Sequence, residues 1–199
     1  TRQLLEEVAS LSDKLHLEVY HTSRDSELAQ KYQVDKVPGI VIAAKNGDEI
    51  IDYGIRYAGI PAGHEFTSLI RDLLMVSARD SGLSPETRAF LAKLPRDIHL
   101  QVFVTPTCPY CQTSVILGHQ MAIASPFVRA DMVEATEFPH LAQRYAVRAV
   151  PRTIVNETGV IEGSLPPREF AEAIRSAAES SFLRPTSRVP WITCRWRFE

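Results

Sequence analysis

Cys108 and Cys111 stand in the tetrapeptide Cys108-Pro109-Tyr110-Cys111, and this C-x-x-C spacing is the feature of the chain best suited to chemistry. Two thiols so placed can close a disulfide, or they can supply half of a tetrahedral metal site. A structural zinc needs two further ligands, and the sequence holds no second C-x-x-C and no H-x-x-x-H. An iron–sulfur cluster shared between two chains is a more remote alternative. Disulfide exchange needs a thiolate, whereas a free thiol with a pKa of about 8.5 is mostly protonated at neutral pH. An apolar strand-like run, residues 100–104, and the turn Thr105-Pro106-Thr107 precede Cys108, and Pro109 is expected at the first helical position. The Cys108 sulfur would then sit over the unpaired amides of a helix N-terminus, whose partial positive charge favours the thiolate. Cys111 follows one turn later on the same face and is expected to be the more buried, resolving thiol. Tyr110, between them, is expected to expose its ring where a substrate would touch it.

An internal repeat supplies the elements that must position this pair. Residues 27–38 return as residues 140–151 at a constant offset of 113, with Leu, Ala, Gln, Tyr, two Val and Pro coinciding. Each copy continues into a β-branched run, Ile40-Val41-Ile42 or Thr153-Ile154-Val155. A Gly-containing turn follows each run, at Asn46-Gly47 or Thr158-Gly159. Downstream, Gly59 with Glu65-Phe66 answers Gly163 with Glu169-Phe170 at an offset of 104, so the hairpin of the first copy is about nine residues longer. The expected order within a copy is helix, strand, short helix, two strands, helix. In the first copy Leu4, Leu5, Val8, Leu11 and Leu15 trace one helical face, and residues 17–21 alternate like a strand. The closing helix is expected to bury Phe66, Leu69, Ile70, Leu73 and Leu74. Ser84-Pro85-Glu86 opens a connecting helix that docks Phe90, Leu91 and Leu94 between the copies. Val150-Pro151, after a helix and before a strand in both copies, is expected to be cis and to present the Val150 backbone beside the cysteines. Pro151 follows Cys111 by 40 positions, and the same count back from Pro38 runs past Thr1. The first copy is therefore expected to be N-terminally truncated, without its opening strand and its C-x-x-C.

Residues 102–111, with Asp131-Met132-Val133-Glu134-Ala135, Ala149-Val150-Pro151 and residues 59–66, resemble the glutaredoxin-like protein disulfide oxidoreductases. The resemblance covers about residues 1 to 183. It implies an α/β protein of two tandem thioredoxin-like units, the first lacking its opening strand and C-x-x-C. The divisions are 1–80, 81–183 with the connecting helix and the redox unit, and an irregular tail 184–199 that holds Cys194. It also implies Cys108 as nucleophile, Cys111 as resolving thiol and Pro151 as a cis-proline. Glu134 falls where thioredoxin-like proteins keep a buried carboxylate near the resolving cysteine; a surface glutamate at a strand end is the alternative. Asp131 is the weaker candidate for that role, because side chains three apart on a strand face opposite ways. His64 reads as a capping or interface residue and His119 as a solvated helix residue.

The bulk composition fits this reading. The chain has 199 residues, 45% of them apolar and 23% charged, and a net charge of −2 that offers no general attraction to nucleic acid or anionic lipid. No apolar run reaches the ~18 residues of a membrane helix. Residues 1–7 read as the start of a helix rather than a leader, and the expected compartment is the cytoplasm. The expected activity is dithiol–disulfide exchange on protein substrates. No organic cofactor is expected, and electrons would come from a thioredoxin-reductase-like donor. Three rivals remain: a glutathione-dependent glutaredoxin, the electron-relay domain of a peroxide-reducing system, and a chaperone-like binding module that works without its cysteines.

Overall fold

The computed structural model describes residues 1–94 and 97–180. Short helices α1 (Arg2–Ala9) and α2 (Ser26–Lys31) precede the hairpin β1 (Gly39–Asn46) and β2 (Glu49–Ala58), then α3 (Glu65–Ala78) and the linking α4 (Pro85–Leu91). The second half runs β3 (Ile98–Val104), α5 (Cys111–Ala124), β4 (Val128–Glu134), α6 (Pro139–Arg144), β5 (Arg152–Val155), β6 (Gly159–Glu162) and α7 (Pro167–Ser180). The strands form one six-stranded sheet in the order β1-β2-β4-β3-β5-β6. Both copies thus share a single sheet, joined where β2 runs parallel to β4 from Ile55↔Ala130 to Ala58↔Val133. β3 and β4 are parallel, and their connection through α5 is the crossover such pairing requires. As the innermost strands they are buried on both faces, which explains near-continuous runs such as Leu100, Val102, Phe103 and Val104.

The repeat extends to fine geometry. Val37-Pro38 and Val150-Pro151 are both cis, and Gln33 and Ala146 end their short helices at φ 52° and 50°. The Pro38 carbonyl accepts from Gly59 N–H at 2.8 Å, as Pro151 does from Gly163 at 2.9 Å. The longer first hairpin carries its extra length partly as a bulge after Ile42, opposite Asp52 and Ile55. Gly54 sits in that bulge at φ +78°, where a Cβ would lie 2.9 Å from the Val128 carbonyl oxygen.

Some elements differ from expectation. Residues 17–21 form no strand. Their counterpart in the repeat is β4, whose ladder depends on β3, and the described residues hold no β3 counterpart for the first copy. α1 stops at Ala9, and Leu11 is exposed. In α3, Leu69 is buried, but Phe66 and Leu74 face solvent, Leu74 with 65% of its surface exposed. The helix buries Glu65, Ser68 and Asp72 alongside Leu69 and Val76, because α5 offers it polar partners. Leu91 and Leu94 are buried and Phe90 packs against the core, as the connecting helix requires. The tail and Cys194 lie outside the described residues.

Candidate functional site

β3 ends at Val104, and the next turn is closed by Cys108 N–H donating to the Thr105 carbonyl at 3.1 Å. Pro109 and Tyr110 continue as a turn, and α5 starts at Cys111 rather than at Pro109. The difference is one of boundary: Tyr110, the N-cap, already has helical dihedrals of −93° and −16°. Cys108 and Cys111 are joined as a disulfide with Cα atoms 5.5 Å apart, so neither is free to bind a metal in this state. Cys108 is 9% exposed and Cys111 fully buried, while the Tyr110 ring beside them is 70% exposed. The Cys108 Sγ lies 3.8 Å from the carbonyl oxygen of Val150, immediately before cis-Pro151. An oxidised sulfur has no proton to donate, so this is a packing contact. It fixes the Val150–Pro151 corner as the wall of the disulfide.

Two buried carboxyl groups lie at this end of the sheet. Glu134, paired with Val104 across the ladder, is 2% exposed, which removes the surface alternative. Strand alternation puts it on the same face as Ala130 and Met132, beneath α5. Its Oε2 accepts from the Thr136 hydroxyl at 2.7 Å and the Glu137 amide at 2.6 Å, while Oε1 has no partner among the described residues. Glu65 is the second, and the sequence pattern carries no sign of it, because a glutamate in the first helical turn is ordinarily a surface residue. It opens α3 at the level where Cys111 opens α5, for the His64 amide donates to the Pro106 carbonyl at 3.2 Å. Glu65 Oε2 accepts from Ser68 at 2.7 Å, Oε1 is unpartnered among the described residues, and burial pushes its carboxyl above the ordinary 4.5. The His64 side chain makes no capping bond.

A family profile described as a thioredoxin domain matches residues 98–176. The N-terminal domain of the alkylhydroperoxide reductase AhpF from Enterococcus faecalis superposes with a TM-score of 0.80 at 29% identity, covering 87% of this chain and 82% of that one. A protein disulfide oxidoreductase from Aeropyrum pernix superposes at 0.79 with 30% identity, covering 89% and 78%. The chain belongs to the thioredoxin-like family. Its Cys108–Cys111 pair is a dithiol–disulfide redox couple. Among curated relatives, an NADH dehydrogenase of Bacillus subtilis is 25% identical over 178 residues, and the F component of the alkyl hydroperoxide reductase of Staphylococcus aureus is 27% identical over 128. The chain spans 32% and 25% of the length of these two relatives.

The opposite face of this thioredoxin-like sheet carries charge rather than thiol chemistry. Asp131 points away from the cysteines and gathers Lys36 at 3.2 Å, His99 at 3.0 Å and Arg129 at 3.1 Å. Burial opposes its ionisation, but His99, Arg129 and Lys36 outweigh that and hold its carboxyl well below the ordinary value. The cluster ties α2's connection to β3 and β4, a structural task. His119, expected in solvent, is wholly buried on α5, because Asp72 of α3 reaches its Nδ1 at 2.5 Å. No helix among the described residues is long and apolar enough to cross a membrane.

Proposed function

We propose that the chain is a protein dithiol–disulfide oxidoreductase acting through Cys108. The observation that carries this reading is the pairing of a surface-reaching Cys108 with a sealed Cys111 against the Val150–Pro151 corner. In the reduced chain the Cys108 thiolate attacks one sulfur of a substrate disulfide, forming a mixed disulfide and expelling the other sulfur as a thiolate. Cys111 then loses its proton and attacks the Cys108 sulfur. The intramolecular disulfide forms, the second substrate sulfur leaves as a thiolate that takes up a proton from water, and the substrate has gained the electron pair.

Glu65 is the acceptor for the Cys111 proton, because a carboxyl raised by burial exchanges protons nearer neutrality than an exposed one. Glu134, with two donors on one oxygen, anchors the strand end beside the site. The Val150 backbone before cis-Pro151 gives an extended substrate segment an edge to align on, with Pro109 shaping the turn and the Tyr110 ring covering the substrate. A thioredoxin-reductase-like donor returns electrons to the pair, in a reducing cytoplasm that keeps it as a dithiol at rest.

The similarity to AhpF supports a second reading, in which the chain relays electrons to one peroxide-reducing partner. Insulin reduction driven by dithiothreitol, comparing the chain with Cys108→Ser, tests the first. Acceleration that disappears in the variant is expected. A folded chain that leaves insulin untouched yet reduces a peroxidase favours the relay, and dependence on glutathione would indicate a glutaredoxin.

A further inference from the structure

Six polar side chains line the seam between α3 and α5, each no more than 1% exposed: Tyr57 of β2, Glu65, Ser68 and Asp72 of α3, and Ser114 and His119 of α5. Residues 65, 68 and 72 recur at turn spacing on α3, and on α5 Cys111 and Ser114 stand one turn apart with His119 five residues further on, so the two helices line a polar seam that leads inward from the dithiol. At the inner end, Asp72 Oδ2 accepts from His119 Nδ1 at 2.5 Å and from the Tyr57 hydroxyl. The carboxylate opposite fixes the proton on Nδ1. The His119 ring also meets the Tyr57 ring edge-on at 5.1 Å between centroids. Asp72 Oδ1, His119 Nε2, Glu65 Oε1 and Ser114 Oγ have no partner among the described residues. Such a row is costly to bury, and a plain α3–α5 contact would be met by leucines.

We propose that His119, clamped by Asp72 and Tyr57, is a positioning residue for the exchange reaction: its positive charge in the seam keeps Glu65 able to take the proton of Cys111. This rests on the reading of Glu65 as the acceptor. A sealed Asp72 anion needs a counter-charge, and His119 is the one basic side chain that the described residues place there. Glu65 feels both members. Burial drives its carboxyl upward, the Ser68 hydroxyl and then His119 draw it back, and Asp72 adds a smaller upward push. The other titratable groups on this side are Tyr57, Cys111 and Glu134. β3 contributes only Leu100, Val102 and Val104, and α4 buries Thr87 and Leu91. Without the imidazolium, Asp72 would stand against Glu65 unopposed, and Glu65 would hold its proton to higher pH.

Single-turnover reduction of insulin by the prereduced chain, followed from pH 5 to 9, tests this. His119→Gln keeps a donor to Asp72 but removes the charge, and it should move the acid limb upward by about one pH unit, about tenfold slower on that limb. The double variant Asp72→Asn/His119→Gln removes both charges and should return the limb towards that of the unmodified chain. An unmoved limb in the single variant, or a double variant as slow as the single, overturns the proposal. Should the variants fail to fold, nitrogen NMR of the unmodified chain decides: both His119 ring nitrogens protonated at pH 7 is expected, and a neutral ring overturns it. An unmodified chain that reduces no insulin at any pH would instead sink the oxidoreductase reading, while the NMR result would still stand.

Discussion

Gly63→Ala is the substitution whose cost can be worked out most completely. Gly63 precedes α3 at φ +60°, and a Cβ there would lie 2.2 Å from the Pro106 carbonyl oxygen, two residues before Cys108. Gly47 serves as an internal control, with φ +62° and nothing within 4 Å of its would-be Cβ. Both alanines incur the left-handed backbone penalty of about 1–2 kcal/mol, reduced by about 0.4–1 kcal/mol from the stiffer unfolded chain. Only Gly63→Ala must also push backbone away from backbone by about 1 Å, an overpacking cost of about 1–3 kcal/mol. It stretches the His64–Pro106 hydrogen bond as well, worth about 0.5–1.5 kcal/mol. Urea denaturation should therefore place Gly47→Ala about 1 kcal/mol below the parent chain and Gly63→Ala about 2.5–5.5 kcal/mol below it. Because the strain falls on the active-site turn, Gly63→Ala should also slow insulin reduction while Gly47→Ala leaves it unchanged. Equal stability of the two variants would refute the close docking of α3 on that turn, and with it the reading of Glu65 as proton acceptor for the dithiol.

Other perturbations follow from the same geometry. Asp131, held well below its ordinary 3.8, contributes stability that is complete above that value and lost as pH falls further. Asp131→Asn should therefore cost about 1–3 kcal/mol at pH 7, since Lys36 keeps Asp35 at 2.7 Å as a partner, and acid titration of its melting temperature should be flatter than for the parent. Glu65 is raised, so its contribution is full below 4.5 and lost as pH rises through its folded value. Glu65→Gln should then be more stable than the parent at pH 8 by thermal melting, yet slower in insulin reduction. Leu74→Glu, on the solvent side of α3, should change urea stability by less than about 0.5 kcal/mol. Tyr110→Ala should raise KM for insulin with little effect on stability, given its exposed ring.

The dithiol unit is legible in the sequence because every level agrees there. The apolar run of β3, the Thr105–Thr107 turn and the C-x-x-C point to one strand-turn-helix unit, and the repeat carries both cis-prolines with it. What stays hidden depends on partners far along the chain. Residues 17–21 alternate like a strand, yet a strand exists only through a ladder, and none is available to them. The stripe of α3 misleads for a related reason. Phe66 and Leu74 carry helical periodicity, but the face that turns inward is chosen by His119 and Tyr57, 47 and 15 residues from Asp72. Pattern reading sends glutamate, aspartate and histidine to the surface, so a buried acid–base row is the kind of feature it misses.

Cys108 as the nucleophile and Cys111 as the thiol that releases the substrate are the centre of the proposed mechanism. The most direct test is to mix reduced Cys111→Ser chain with insulin and identify the linked species by mass spectrometry of unreduced peptides. An insulin chain held through Cys108 and released by dithiothreitol is expected, with no such adduct in Cys108→Ser. An adduct carried by Cys194, or a folded Cys111→Ser chain that captures nothing, would contradict it.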